Sequence, residues 1–245
     1  MNAPACRGVR CNSAALIDAH IVARGFARDA QESFPHNLLI SCGGVRPLHA
    51  HGIYDNRILC ADCDGKLGKL DSYALQVCRR FDAEHTIRDD GLFEMNNVDG
   101  DRFATFVLSV LWRASITSRP EFADVSLGAY EDDARQVIFG ARPLASISDY
   151  QLLVGRCRQE GKFNPARNYT MPARMTIKLS GWYFALNGFC ILAKLHPAPL
   201  APECAPAVVN GNDRLIGAFT RYESTTEGLA VIAMAGARSA RSPRR

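Results

Sequence analysis

Two close cysteine pairs, Cys6 with Cys11 and Cys60 with Cys63, constrain this chain more than any other feature. A structural zinc ion takes four ligands tetrahedrally, and thiolates from two short loops commonly supply them. The short gap between Cys60 and Cys63 lets both sulfurs face one ion from a tight turn. The wider gap of Cys6 and Cys11 still lies within the range such loops use. The pairs therefore predict one structural Zn²⁺ on Cys6, Cys11, Cys60 and Cys63. Cys42, His49 and His51 are the spare ligands if the first pair fails. A redox dithiol is the competing reading and fits less well. Asp62 between Cys60 and Cys63 would raise the thiol pKa values, and no βαβ pattern surrounds the pair.

The chain has nine cysteines, and the other five (Cys42, Cys78, Cys157, Cys190 and Cys204) are scattered. Paired-plus-scattered usage suits a reducing compartment, with the pairs on metal and the rest as small apolar fillers. The formal charge of +4 belongs to one end of the chain. Residues 238–245 carry Arg238, Arg241, Arg244 and Arg245 and no acid. Without those four, the 29 basic residues become 25 and balance the 25 acidic ones. A disordered basic tail on a formally neutral body is expected. The tail can touch phosphate non-specifically, but the charge does not compel nucleic-acid binding. No run approaches the roughly 18 apolar residues of a membrane span. Arg7, Arg10 and Asp18 interrupt any secretory pattern, so a soluble, cytoplasmic chain without membrane contact is expected.

Along the chain, residues 15–22 (ALIDAHIV) and 36–42 (HNLLISC) read as strands, with a short helix between them. Leu67, Leu70, Ala74, Val77 and Phe81 recur at helical spacing after the second cysteine pair. Residues 99–115 predict a second helix, with Phe103, Phe106, Val107, Val110, Leu111 and Ala114 on one face and Asp99 or Asp101 as cap. Residues 131–139 predict a third, its first turn acidic as the macrodipole favours. The second half changes to period-two alternation. MTIKL, WYFAL and FCILAKL read as three antiparallel strands joined by Ser-Gly and Asn-Gly turns. Pro197, Pro199, Pro202 and Pro206 suggest an extended connector. RLIGAFTRY and a helix-like EGLAVIAMAG precede the tail.

The N-terminal layout resembles the HNH, or ββα-metal, endonuclease family. That family has a cysteine pair, a strand with Asp-His-Ile, an Asn, and Leu-Cys-x-x-Cys-His leading into a helix. Here the matching residues are Cys6 and Cys11, Ala19-His20-Ile21, Asp55-Asn56, and Leu59-Cys60-Ala61-Asp62-Cys63-Asp64. The layout is also similar to a group of bacterial proteins that share the HI and LCxxC pattern and supply no activity. The resemblance spans residues 6 to 80. It implies that His20 is a general base, that Asp64 holds a catalytic Mg²⁺ or Mn²⁺, and that Asp55 or Asn56 orients the base. Ala19 stands where the family has an acid, and Asp18 is one residue away. On the residues alone, His20 among Ile17, Ile21 and Val22 also reads as a hydrogen-bonded core histidine. Asp64 likewise reads as a helix-first-turn acid.

The expected fold is α+β. A treble-clef or HNH-like zinc module spans 1–85. An α+β domain of helices and then an antiparallel meander spans 86–237, and a tail spans 238–245. The expected activity is metal-dependent hydrolysis of DNA phosphodiester bonds. The alternative is a non-catalytic zinc-stabilised module that binds nucleic acid or a protein partner.

Overall fold

The computed structural model describes residues 4–31, 38–41, 44–47, 52–158, 170–175 and 181–221. The spare ligands Cys42, His49 and His51 lie outside the described residues. So do residues 176–179 of the MTIKL segment, residues 227–236 and the basic tail.

The fold is α+β, with its sheets paired almost entirely antiparallel. Two helices form the middle. The first cysteine pair is followed by β1 (Ala19–His20), α1 (Arg24–Gln31), β2 (Leu38–Ser41), β3 (Gly44–Pro47) and β4 (Tyr54–Asp55). Next comes α2 (Ala61–Glu84), whose buried stripe runs through Cys63, Leu67, Asp71, Ala74, Val77, Cys78 and Phe81. After β5 (Thr86–Ile87) and β6 (Phe93–Asn96), α3 (Gly100–Ile116) crosses the interior. Asp99 caps α3 by accepting from the Arg102 N–H at 2.9 Å, and Asp101 instead accepts from the Gly211 N–H at 2.7 Å. From Phe103 to Ala114 nearly every side chain of α3 is enclosed, so its apolar stripe widens until the helix is a core element.

Helix α4 (Glu131–Ile138) packs on α3. The largest sheet has the order β12-β7-β10-β9-β8, from β7 (Tyr150–Arg158), β8 (Ala173–Met175), β9 (Gly181–Leu186), β10 (Phe189–Leu195) and β12 (Phe219–Arg221). Asn187 (φ 45°) and Gly188 (φ 83°) form the two-residue turn between β9 and β10, both in the left-handed region that such a turn requires. Strand β12 joins β7 in parallel, while β11 (Arg214–Gly217) belongs to another sheet beside β6 and β5.

Three segments differ from their sequence reading. Within RLIGAFTRY, residues 214–221 form two strands in two sheets. The chain passes between them at Gly217, where a side chain would meet the Val154 carbonyl and the Phe93 ring. Only Ala19–His20 of ALIDAHIV is regular strand, because the Ala19 N–H turns back to the Ile17 carbonyl at 2.8 Å. Within the proline-rich connector, Pro202–Ala207 forms a 3-10 helix, with Pro202 set at its first position. Among the described residues, no helix is long and apolar enough to cross a membrane.

Candidate metal centre

The four paired cysteines converge. Their sulfurs all lie within 4.8 Å of one another, and Cys11 Sγ and Cys60 Sγ are 3.7 Å apart. Tetrahedral thiolates on metal–sulfur bonds of about 2.3 Å sit about 3.8 Å apart, so the cluster can hold one metal ion.

Local backbone bonds shape the first loop. The Cys6 N–H donates to the Ser13 carbonyl at 2.8 Å, and the Arg7 N–H to the Ile58 carbonyl at 2.8 Å. Arg10 takes φ 53° to close the turn before Cys11. Gly8 passes against the second pair, and a Cβ there would fall 2.4 Å from Cys63 Sγ. The second pair is set by α2, with Cys60 as its N-cap and Cys63 buried in its first turn. The Cys60 N–H also donates to Cys6 Sγ at 3.3 Å, which ties the two loops together.

The thiols are not equivalent. The Cys63 backbone N–H lowers the Cys60 thiol to about 7. Burial raises Cys6, and burial together with the neighbouring sulfurs raises Cys63. Four sulfurs crowded together resist losing all their protons unless a cation takes their place, which is the chemistry of a metal-thiolate site.

Other candidate residues lie on the strand–helix frame beside the cluster. Strand β1 pairs antiparallel with β4, placing Ala19 opposite Asp55 and His20 opposite Tyr54. Opposed residues share a face, so this ribbon puts Asp55 on the Ala19 side and His20 on the Tyr54 side. Ala19 is fully enclosed, which explains an apolar residue at that position. The buried Asp55 carboxylate accepts from the Arg57 N–H at 2.8 Å, the Thr117 hydroxyl at 2.6 Å and the Ser118 N–H at 3.2 Å. It thus fastens the turn after β4 to the end of α3. Asn56 is exposed in that turn, and Asp18 is exposed before β1.

Residues that the motif reading passed over connect His20 with Asp64. Arg113 of α3 is 1% exposed and makes a two-pronged ion pair with Asp71 of α2, at 2.7 and 3.0 Å. The same guanidinium donates to the His20 carbonyl at 2.9 Å. Half-buried Asp64 lies within its field. Burial raises that carboxyl, Arg113 lowers it and Asp71 raises it further. Arg113 was visible in the sequence as the one charge in the apolar run that follows Arg102, and Asp71 as an acid four residues beyond Leu67 on the buried stripe.

No protein-family model matches the chain, no curated protein matches it in sequence, and no solved structure matches its fold.

Proposed function

We propose that this chain is a zinc-stabilised, non-catalytic module that binds nucleic acid. The zinc reading rests on four cysteine sulfurs within 4.8 Å of one another, a donor set that suits a closed tetrahedral site. Zinc there supplies folding energy and no reaction chemistry. One observation carries the non-catalytic part: the two buried acids beside the His20 strand, Asp55 and Asp71, are already engaged. Asp55 holds three donors, and Asp71 is locked on Arg113. A hydrolytic cation would be left with half-buried Asp64, beside a buried guanidinium, and with Asp18 out in solvent.

The exposed face of α2 favours nucleic acid as partner. Lys66 and Lys69 are exposed along it, and Arg102 stacks 4.5 Å over the Tyr73 ring on the same side. Such a row of cations can contact phosphates at successive positions along a backbone.

A second reading, HNH-type hydrolysis of DNA, is favoured by the ribbon-then-helix order and by Arg113 drawing His20 and Asp64 into one neighbourhood. In that reading His20 accepts the proton of the attacking water, and Asp64 holds Mg²⁺ or Mn²⁺. One experiment separates the two: metal content, DNA retention and plasmid nicking, measured on the same preparation. The proposal expects one zinc per chain and no nicking with Mg²⁺ or Mn²⁺. It also expects salt-sensitive retention that weakens in Lys66→Ala, Lys69→Ala and Arg102→Ala. Nicking that disappears in His20→Ala while zinc is retained would establish the hydrolytic reading instead. Absence of DNA retention together with absence of nicking would refute both.

A further inference from the structure

Outside the metal centre, two other cysteines meet. Cys157 on β7 and Cys190 on β10 have their sulfurs 2.9 Å apart. The register explains the approach. Cys190 lies opposite Gly155, and Cys157 is two residues further along β7, so the two are diagonal neighbours on one face of an antiparallel pair. The Cys157 N–H donates to the Gly188 carbonyl at 2.8 Å, which holds the end of β7 against the turn into β10. Gly155 presents no side chain beside Cys190, where a Cβ would come within 3.6 Å of the Cys190 Cβ. Cys190 can therefore lean along the diagonal toward Cys157. A disulfide bond of about 2.0 Å is within reach by side-chain rotation and a small strand adjustment. Cys190 is half-buried and reachable from solvent, whereas Cys157 is enclosed. Cys78, by contrast, is buried deep in α2, and burial pushes its thiol up to about 12.

We propose that Cys157 and Cys190 are a reversible dithiol–disulfide pair, oxidised by exchange with a low-molecular-weight disulfide. The Cys190 thiolate attacks one sulfur of the small disulfide, whose S–S bond breaks and releases one small thiol. Cys157, having given up its proton, then attacks the Cys190 sulfur and displaces the second small thiol. The two cysteines together lose two electrons and two protons. The small disulfide gains both and leaves as two thiols. The product staples β7 to β10 in the middle of the five-stranded sheet and closes a loop that contains β8 and β9. Transient pairs of this kind are the form in which disulfides occur in reducing compartments.

The test uses the full chain loaded with zinc, so that the four cluster cysteines stay protected. The protein is equilibrated with oxidised and reduced glutathione in graded ratios, then alkylated, digested without reductant and mapped by mass spectrometry. A linked peptide pair carrying Cys157 and Cys190 is expected, appearing as the oxidised fraction rises and vanishing with dithiothreitol. The oxidised protein should melt about 5–10 °C higher, because the link restricts the unfolded chain. Cys157→Ala should stop the reaction at glutathione on Cys190, and Cys190→Ser should remove the link and the melting shift together. If wild-type protein accumulates glutathione on Cys190 without the link, or if another cysteine pair links first, the proposal is wrong. Alkylation of the folded wild-type chain provides a check that does not depend on the variants folding. Cys190 should label before Cys157, and a reversed order would overturn the sequence of steps.

Discussion

The cysteine-bearing N-terminal region and the C-terminal sheet reach order by different means. In the sheet, β7, β9 and β10 alternate or enclose apolar side chains along their length, and Phe184, Phe189, Ile191 and Ala193 are fully buried. Hydrophobic burial and ladder hydrogen bonds are sufficient there. The segment from Cys6 to Asp18 has little of this. Arg7, Arg10, Ala14, Ala15, Ile17 and Asp18 are exposed or only partly covered, and Cys6 is among the few enclosed side chains. What organises it is the sulfur cluster and a few backbone bonds, including Ile17 N–H to the Leu59 carbonyl at 3.0 Å. The comparison teaches that a metal can do for one stretch what an apolar core does for another. The two should therefore fail under different treatments.

The largest separation between the regions is expected from Cys63→Ser. Serine at this position keeps the size but removes a thiolate, so on the zinc proposal the ion should be lost and with it the folding energy it would supply. Metal analysis should fall from one equivalent to none. Limited proteolysis should cut within residues 4–20, while the fragment containing β7 to β10 survives. Acidification should reproduce a milder form of the same loss. Cys6 and Cys63 hold their protons more firmly than ordinary thiols, so metal binding must release those protons and weakens as pH falls. Intact metal content in the variant would break the comparison at its base.

A smaller and different effect is expected where the N-terminal region joins the helices α2 and α3. Arg113→Met leaves Asp71 without its cation and β1 without the bond to the His20 carbonyl. Removing one partner of a buried pair costs about 3–5 kcal/mol. Urea unfolding should register that loss over the whole molecule, with zinc content unchanged. Adding Asp71→Leu should recover much of it, since the stranded carboxylate is then gone. A single variant within 1 kcal/mol of wild type, an amount typical of surface pairs, would show that the junction is not held by this pair.

What could be read from the sequence divides along the same line. Local signals carried through. The Asp99 cap, the apolar stripe of α3, the Asn187-Gly188 turn and the spacing of the paired cysteines each depend on residues close in the chain. Features that depend on distant partners did not. The pairing of Cys157 with Cys190 needs a strand register set across 33 positions, so both read as apolar fillers. Asp55 stood in a motif position, yet two of its three donors, Thr117 and Ser118, come from the end of α3, which no spacing near Asp55 could announce. Residues 214–221 divide between two sheets because their strand partners are β6 and β7, again far away in sequence.

The most direct test of the account is amide hydrogen exchange on zinc-loaded protein before and after a strong chelator. Exchange resolves opening segment by segment, so it can see one region loosen while the other holds. The account predicts that amides of Cys6, Arg7, Ile17, Ala19 and Cys60 lose most of their protection on chelation. Those of β7, β9 and β10 should keep theirs to within a few-fold. Uniform loss across both regions, or unchanged protection around Cys6 and Cys60, would contradict it.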